Sequence, residues 1–313
     1  MLKILSIGLW AALAGILSAF PVYAGQVSYG YETVDGLQIF YREAGNPAKP
    51  ALVLLHGFPA SSHQYREVLE QLGDDYYLIA PDYPGFGYSS FPSPQEFKYS
   101  FDNLANVMDK FLDKKGLTKY SIMIQDYGSP VGFRIATAHP ERIQAIITQN
   151  GNAYIEGIGV EGWGPVVDYW KTKTPELEKK IINAVLSYDG IKSQFVYDTK
   201  RAETMAPDVW ELAYAKIARP GQARVQLDLL YDYQNNLKKY PEWQAYLKKH
   251  QPPVLVVWGK HDPFFLEAGA AAFKKDVKDI DYNIYDAGHF ALEEKSEEIT
   301  VKIRKFLSAR GIK

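Results

Sequence analysis

Four short stretches dominated by apolar residues, Ala51–Leu55, Tyr120–Ile124, 143–148 and 254–258, constrain this chain more than any other feature. Each is the length of a strand, and apolar residues at consecutive positions require cover on both faces. A fifth run at 76–80 behaves alike. Helical patterns over 64–72, Phe101–Lys114, the stretch ending at Ala138 and 292–307 alternate with them. That alternation predicts a mainly parallel sheet with helices on both faces. Strands at 27–33 and 37–41, joined by the hairpin signal Asp35-Gly36, and a strand at 282–285 bring the expected sheet to eight.

From about Asn152 to His250 the alternation stops. Helical and aromatic segments continue without a strand pattern until Pro252-Pro253. An all-helical insert in such a sheet is expected to cap the strand ends. The expected organisation is therefore a core over 25–151, a cap over 152–250 and a returning core over 251–313.

The first residues read differently. Lys3 precedes an apolar run from Ile4 to Phe20, Pro21 breaks it, and Val22-Tyr23-Ala24 offers a small-residue cleavage site. The expectation is a secretory signal over 1–24, a secreted or periplasmic protein, and no stable membrane insertion after cleavage, with an uncleaved membrane anchor as the alternative because the apolar run is slightly long for a signal. With no cysteine, disulfides and a lipid-anchored N-terminus are excluded. A net charge of -2 without a long basic run gives nucleic acid no footprint. No His/Asp/Glu spacing suggests a metal site, and no cofactor is expected. Nothing in the sequence sets the oligomeric state.

One strand ends in an unusual way. Ser121-Ile122-Met123-Ile124 runs into Gln125-Asp126-Tyr127-Gly128 and then into a helical pattern. A sharp strand-to-helix turn lifts one side chain above the sheet, and here that side chain is Asp126. The positive end of the following helix favours its ionised form. Asp262, after the strand at 254–258, is placed to hold an imidazole in one tautomer. His289, in a glycine-containing loop after the strand at 282–285, can reach Asp126. Ser129 is a poor alternative nucleophile, because Val131 stands where an elbow around it needs Gly. Asp82 lies in a Pro- and Gly-rich context and reads as a turn residue. His56 supports the loop after its strand, while His63, His139, His250 and His261 read as surface or helix-end residues.

The motifs His56-Gly57-Phe58-Pro59, Pro81-Asp82…Gly85-Phe86-Gly87, Gln125-Asp126-Tyr127-Gly128, Gly259-Lys260-His261-Asp262-Pro263 and Gly288-His289-Phe290 occur in that order, each at a strand end. In this the chain resembles the α/β-hydrolase superfamily, in its branch of epoxide hydrolases and haloalkane dehalogenases, over roughly residues 27–307. The resemblance implies Asp126 as nucleophile, His289 as base and Asp262 as its acid. The loop after the sixth strand, Gln149-Asn150-Gly151-Asn152, lacks the carboxylate that some relatives carry there. The resemblance further implies that the backbone N–H groups of Phe58 and Tyr127 hold the oxyanion. By the same likeness Tyr233, in Tyr231-Asp232-Tyr233-Gln234, and Tyr169, in Val167-Asp168-Tyr169-Trp170, are the proton donors expected of an epoxide hydrolase. Trp163 or Trp170 would supply an N–H to a halide in a dehalogenase.

An aspartate nucleophile narrows the chemistry. Attack on an ordinary ester would give an anhydride, an uphill product, whereas attack on an electrophilic sp³ carbon gives a covalent ester that water can hydrolyse. The expected partners are therefore a small apolar electrophile and water. Epoxide opening to a diol is the first expectation, because Tyr127 and Phe58 stand where dehalogenases place halide donors. Haloalkane dehalogenation is the second, and a non-catalytic ligand-binding member of the fold is the third.

Overall fold

The computed structural model of the protein describes residues 26–196 and 205–313, so the expected signal segment lies outside the described residues. Its strands are β1 Ser28–Val34, β2 Leu37–Ala44, β3 Ala51–Leu55, β4 Tyr77–Pro81, β5 Tyr120–Ile124, β6 Ile143–Gln149, β7 Val254–Gly259 and β8 Ile280–Tyr285. They form one eight-stranded sheet in the order β1-β2-β4-β3-β5-β6-β7-β8. The β1–β2 and β2–β4 pairings are antiparallel and all the others are parallel. This is the α/β-hydrolase fold.

β3, β4, β5 and β7 are buried at every position, as their unbroken apolar runs require. Their alternate side chains feed two cores. Val53, Leu55, Ile122 and Ile124 belong to one face, with residues of α2 Phe101–Lys114 and α3 Gly128–Ala138. Leu52, Leu54, Met123 and Val257 belong to the other, with residues of α1 Arg66–Leu72 and α10 Ala291–Ala309.

Between β6 and β7 lie α4 Val160–Lys171, α5 Pro175–Val185, α6 Tyr188–Val196, α7 Asp208–Ile217 and α8 Gln222–His250. Among the described residues this stretch holds no strand, only an isolated bridge from Ile158 to Phe265. The long helix α8 is tied to the core along its length. Gln222 donates to Gly85 O at 2.7 Å, Asp232 accepts from the Phe101 N–H at 2.8 Å, Arg134 donates to Asn236 at 2.8 Å, and Gln244 donates to Ala153 O at 3.0 Å. The Asp232 bond places a carboxylate on the positive end of α2, which favours it further.

The differences from the sequence reading are local. β2 continues three residues past Tyr41, because its pairing with β4 runs from Tyr41 to Ala44. The helix expected over 64–72 begins as a 3-10 turn, Ser62–Tyr65, capped by the Ser61 side chain. The short helix α9 Glu267–Ala272 has no counterpart in that reading; six residues rich in Ala and Gly carry no periodic signal.

Candidate active site

The site is built from the turn after β5. Only Gln125, Asp126 and Tyr127 separate β5 from α3, so the chain must reverse within three residues. Asp126 does this in the left-handed region, at φ +48°, which few residues other than Gly, Asn and Asp adopt. Gly128 allows the closure, since a Cβ there would lie 2.0 Å from Leu55 O. The result is a carboxylate standing above the sheet but 6% exposed.

Backbone donors meet it. The Phe58 N–H donates to Asp126 Oδ1 at 2.6 Å, and the Tyr127 N–H also supports the carboxylate. Gly57 is needed beside them, because a Cβ on it would stand 2.4 Å from Asp126 Cβ and 2.3 Å from the Gln125 side-chain oxygen Oε1. Burial nevertheless dominates, raising the Asp126 carboxyl from 3.8 to about 6 against the opposing pull of His289 and the two N–H groups.

His289 is buried, with Nε2 4.0 Å from Asp126 Oδ2 and Nδ1 2.7 Å from Asp262 Oδ2. With Nδ1–H donated to Asp262, Nε2 is unprotonated, and its lone pair accepts from the Gln125 amide at 3.0 Å. The 4.0 Å gap is too long for a hydrogen bond. Burial opposes protonation of this imidazole, but the Asp262 and Asp126 carboxylates outweigh it and raise its pKa.

Asp262 is fixed on all sides. Its Oδ1 accepts from the N–H groups of Phe264 at 2.8 Å and Phe265 at 3.0 Å, and its Oδ2 accepts from Asn150 at 2.8 Å as well as from His289. The loop after β6 thus contributes an amide to the acid. Gln149, the last residue of β6, donates to His289 O at 2.9 Å.

A narrow cavity with a water-accessible volume of about 40 Å³ lies over the carboxylate. The core lines it with Phe58, Asp126, Tyr127, Phe264 and His289, and the cap with Gly162, Trp163, Val166, Val185, Gln194 and Leu230.

The structure thus brings together Asp126, His289, Asp262, Phe58 and Tyr127. Three cap assignments require correction. The Tyr169 hydroxyl donates to Glu178 at 2.6 Å and receives Arg224 at 3.2 Å, so an acid and a base of the cap already hold it, and Tyr169 does not line the cavity. The indole N–H of Trp163 donates to Phe264 O at 3.0 Å, and that of Trp170 to Leu230 O at 2.7 Å. Neither is left for a halide. Trp163 still lines the cavity as an apolar ring.

Tyr233 is intermediate. It is fully buried, its ring packs 4.3 Å from Trp163 and 6.0 Å from Tyr127, and it stands behind the cavity wall. Its hydroxyl lies beside that of Tyr240 without a well-formed hydrogen bond. Burial raises both the Tyr233 and Tyr127 phenols well above their usual pKa, so both keep their protons.

Residues outside the set have structural roles. Asp82 is buried and accepts from the N–H groups of Ser62 at 2.7 Å and Tyr88 at 2.8 Å, which fixes its turn. His56 stacks on Tyr83 at 4.1 Å and accepts from the Tyr83 N–H at 3.2 Å. Ser129 donates to Asn152 O at 2.8 Å. Among the described residues no group of three His, Cys, Asp or Glu is placed to hold a metal ion.

Sequence reasoning missed the amides. Gln125 donates to His289 Nε2 at 3.0 Å, Asn150 and Gln149 brace the acid and the imidazole loop, and Gln194 faces the cavity from the cap. Position beside Asp126 was a signal for Gln125. Gln194 sits in an ordinary helical pattern and had none.

A family model described as the alpha/beta hydrolase fold matches residues 50–296. Over 261 residues the chain is 43% identical to the uncharacterized hydrolase YNR064C of Saccharomyces cerevisiae, a match covering 83% of this chain and 89% of the relative. The fold is similar to that of the epoxide hydrolase CorEH, with a TM-score of 0.73, 19% identity and coverage of 91% and 99% of the two chains. It is equally similar to the haloalkane dehalogenase DbeA of Bradyrhizobium elkani USDA94, with a TM-score of 0.73, 21% identity and coverage of 91% and 99%. Backbone likeness therefore does not separate the two activities.

Proposed function

The chain belongs to the alpha/beta hydrolase fold family, and from that premise we propose that this hydrolase works in two steps through an ester on Asp126, opening epoxides to diols. The observation that carries the reading is a buried carboxylate gripped by backbone N–H groups, with an acid-backed imidazole 4.0 Å away. In the first step an Asp126 oxygen attacks an sp³ carbon, and the bond from that carbon to the epoxide oxygen breaks towards oxygen. In the second, His289 takes a proton from water, and the hydroxide attacks the ester carbonyl. The Phe58 and Tyr127 N–H groups hold the resulting oxyanion; its collapse expels an alkoxide, which takes the proton held by His289 to complete the diol, and the Asp126 acid returns its proton to the donor that opened the ring.

The preference for epoxides rests on the donors. The indoles of Trp163 and Trp170 are already engaged, whereas the phenols of Tyr127 and Tyr233 are buried, unpaired and sensitive to the Asp126 charge. A phenol can deliver a proton to an alkoxide. Halide displacement is the second reading, favoured by a cap wall that offers the cavity an amide and no phenol. The cavity is small for either substrate, so admission requires movement of the cap.

Single turnover in ¹⁸O-water tests the mechanism: label should enter Asp126, and an unlabelled Asp126 after turnover would reject the ester. Measuring diol from styrene oxide beside halide from 1-bromobutane separates the activities, and halide without diol would reverse the preference. Export through the segment at 1–24 is likewise proposed, and N-terminal sequencing of the mature protein checks it.

A further inference from the structure

We propose that the Gln194 carboxamide is the cap's hydrogen-bond donor to the atom displaced from the substrate carbon. The proposal rests on the Asp126 ester reading above. Displacement is in-line, so the departing atom leaves on the side opposite the attacking carboxylate, and over Asp126 that side is roofed by the cap.

The cap contributes Gly162, Trp163, Val166, Val185, Gln194 and Leu230 to the cavity, and only two of these side chains carry a donor. The Trp163 N–H is committed to Phe264 O. Gln194 is 6% exposed, lines the same cavity as Asp126 and His289, and its Nε2 is buried with no hydrogen-bond partner. A buried amide donor without an acceptor is costly in the free protein. An incoming electronegative atom removes that cost at the moment it gains charge, which is how such a donor accelerates a step.

The chemistry balances without proton transfer from Gln194. The Asp126 oxygen forms a bond to carbon, and the electron pair of the broken bond passes to the departing atom. The Gln194 N–H stabilises that charge and retains its proton. A halide then leaves as the anion, while an alkoxide takes its proton from a phenol or from water.

The test separates the two steps. Intact mass tracks adduct formation in a His289→Gln background with styrene oxide and 1-bromobutane, and rapid quench tracks ester breakdown with His289 present. Adding Gln194→Met is expected to slow adduct formation about 100-fold and leave ester breakdown unchanged. Equal slowing of both steps, or unchanged adduct formation, would overturn the role. Should Gln194→Met fail to fold, Gln194→Leu removes the donor with less bulk and no charge, and the same two rates decide. Absence of any adduct in the His289→Gln parent would sink the nucleophile reading and this proposal with it. Adduct in the parent with no Gln194 effect would sink this proposal alone.

Discussion

His289→Gln is expected to stop the enzyme half-way, with close to one substrate molecule fixed to each chain and turnover reduced by about 10³-fold. The imidazole sits with Nδ1 2.7 Å from Asp262 and Nε2 4.0 Å from Asp126, so it does not contact the carboxylate before attack. Ester formation needs only the ionised Asp126 and a donor for the departing atom, and both survive the change. Ester hydrolysis needs a group that accepts a proton from water, and a carboxamide does not. Intact mass after exposure to styrene oxide should show a gain equal to one substrate. Unmodified protein that still turns over would remove His289 from the mechanism.

Asp126→Asn is expected to abolish activity, by at least about 10⁴-fold, and at the same time to stabilise the protein. Both effects have one cause. Burial raises the carboxyl to about 6, so at neutral pH the fold holds a charge it disfavours. The folded pKa lies above the ordinary 3.8, so the folded state binds more protons than the unfolded between those values, and stability falls as pH rises from about 4 to 6. Asn removes the charge and also tolerates the φ of +48° at this position. A gain of about 1–3 kcal/mol at pH 7 is expected, fading as the pH is lowered towards 4. Thermal unfolding of the two proteins across that range measures it; a destabilised variant at pH 7 would contradict the account.

The same shift sets the acid side of the pH profile. The nucleophile must be ionised, so kcat/KM should fall below about pH 6, approaching tenfold per unit. His289 must be neutral for the second step, and Asp262, the carboxylate still charged once Asp126 is esterified, favours its protonation, so ester should accumulate as the pH drops. Pre-steady-state traces at two pH values would show this as a larger burst at the lower one.

The legibility of the chain depends on which signals are local. The strands at 51–55, 120–124 and 254–258 were legible because a run buried on both faces leaves nothing but apolar residues. Asp126, Asp262 and His289 were legible as candidates because each ends a strand in a short Gly-containing turn. The hydrogen bonds of Tyr169, Trp163 and Trp170 were not legible, because they are set by partners far along the chain, Glu178 and Arg224, Phe264 and Leu230, although Trp163 does line the cavity. A donor's usefulness depends on whether it is already engaged, and that is decided by tertiary contact. Gln194 was invisible for the same reason, because an empty amide is a property of the fold.

The roof over the site is fastened unevenly. α8 is pinned to the body of the protein by hydrogen bonds at several points along its length, whereas α6 meets it through the Phe195 ring, stacked 4.1 Å from Phe290 beside His289, and α5 is tied to α8 by Glu178 and Arg224. Swelling of the chamber towards α6 must therefore part that ring stack. A guest extending in that direction works against an apolar contact, and one spreading beneath α8 works against several hydrogen bonds, so selectivity here tracks the outline of the guest as well as its size.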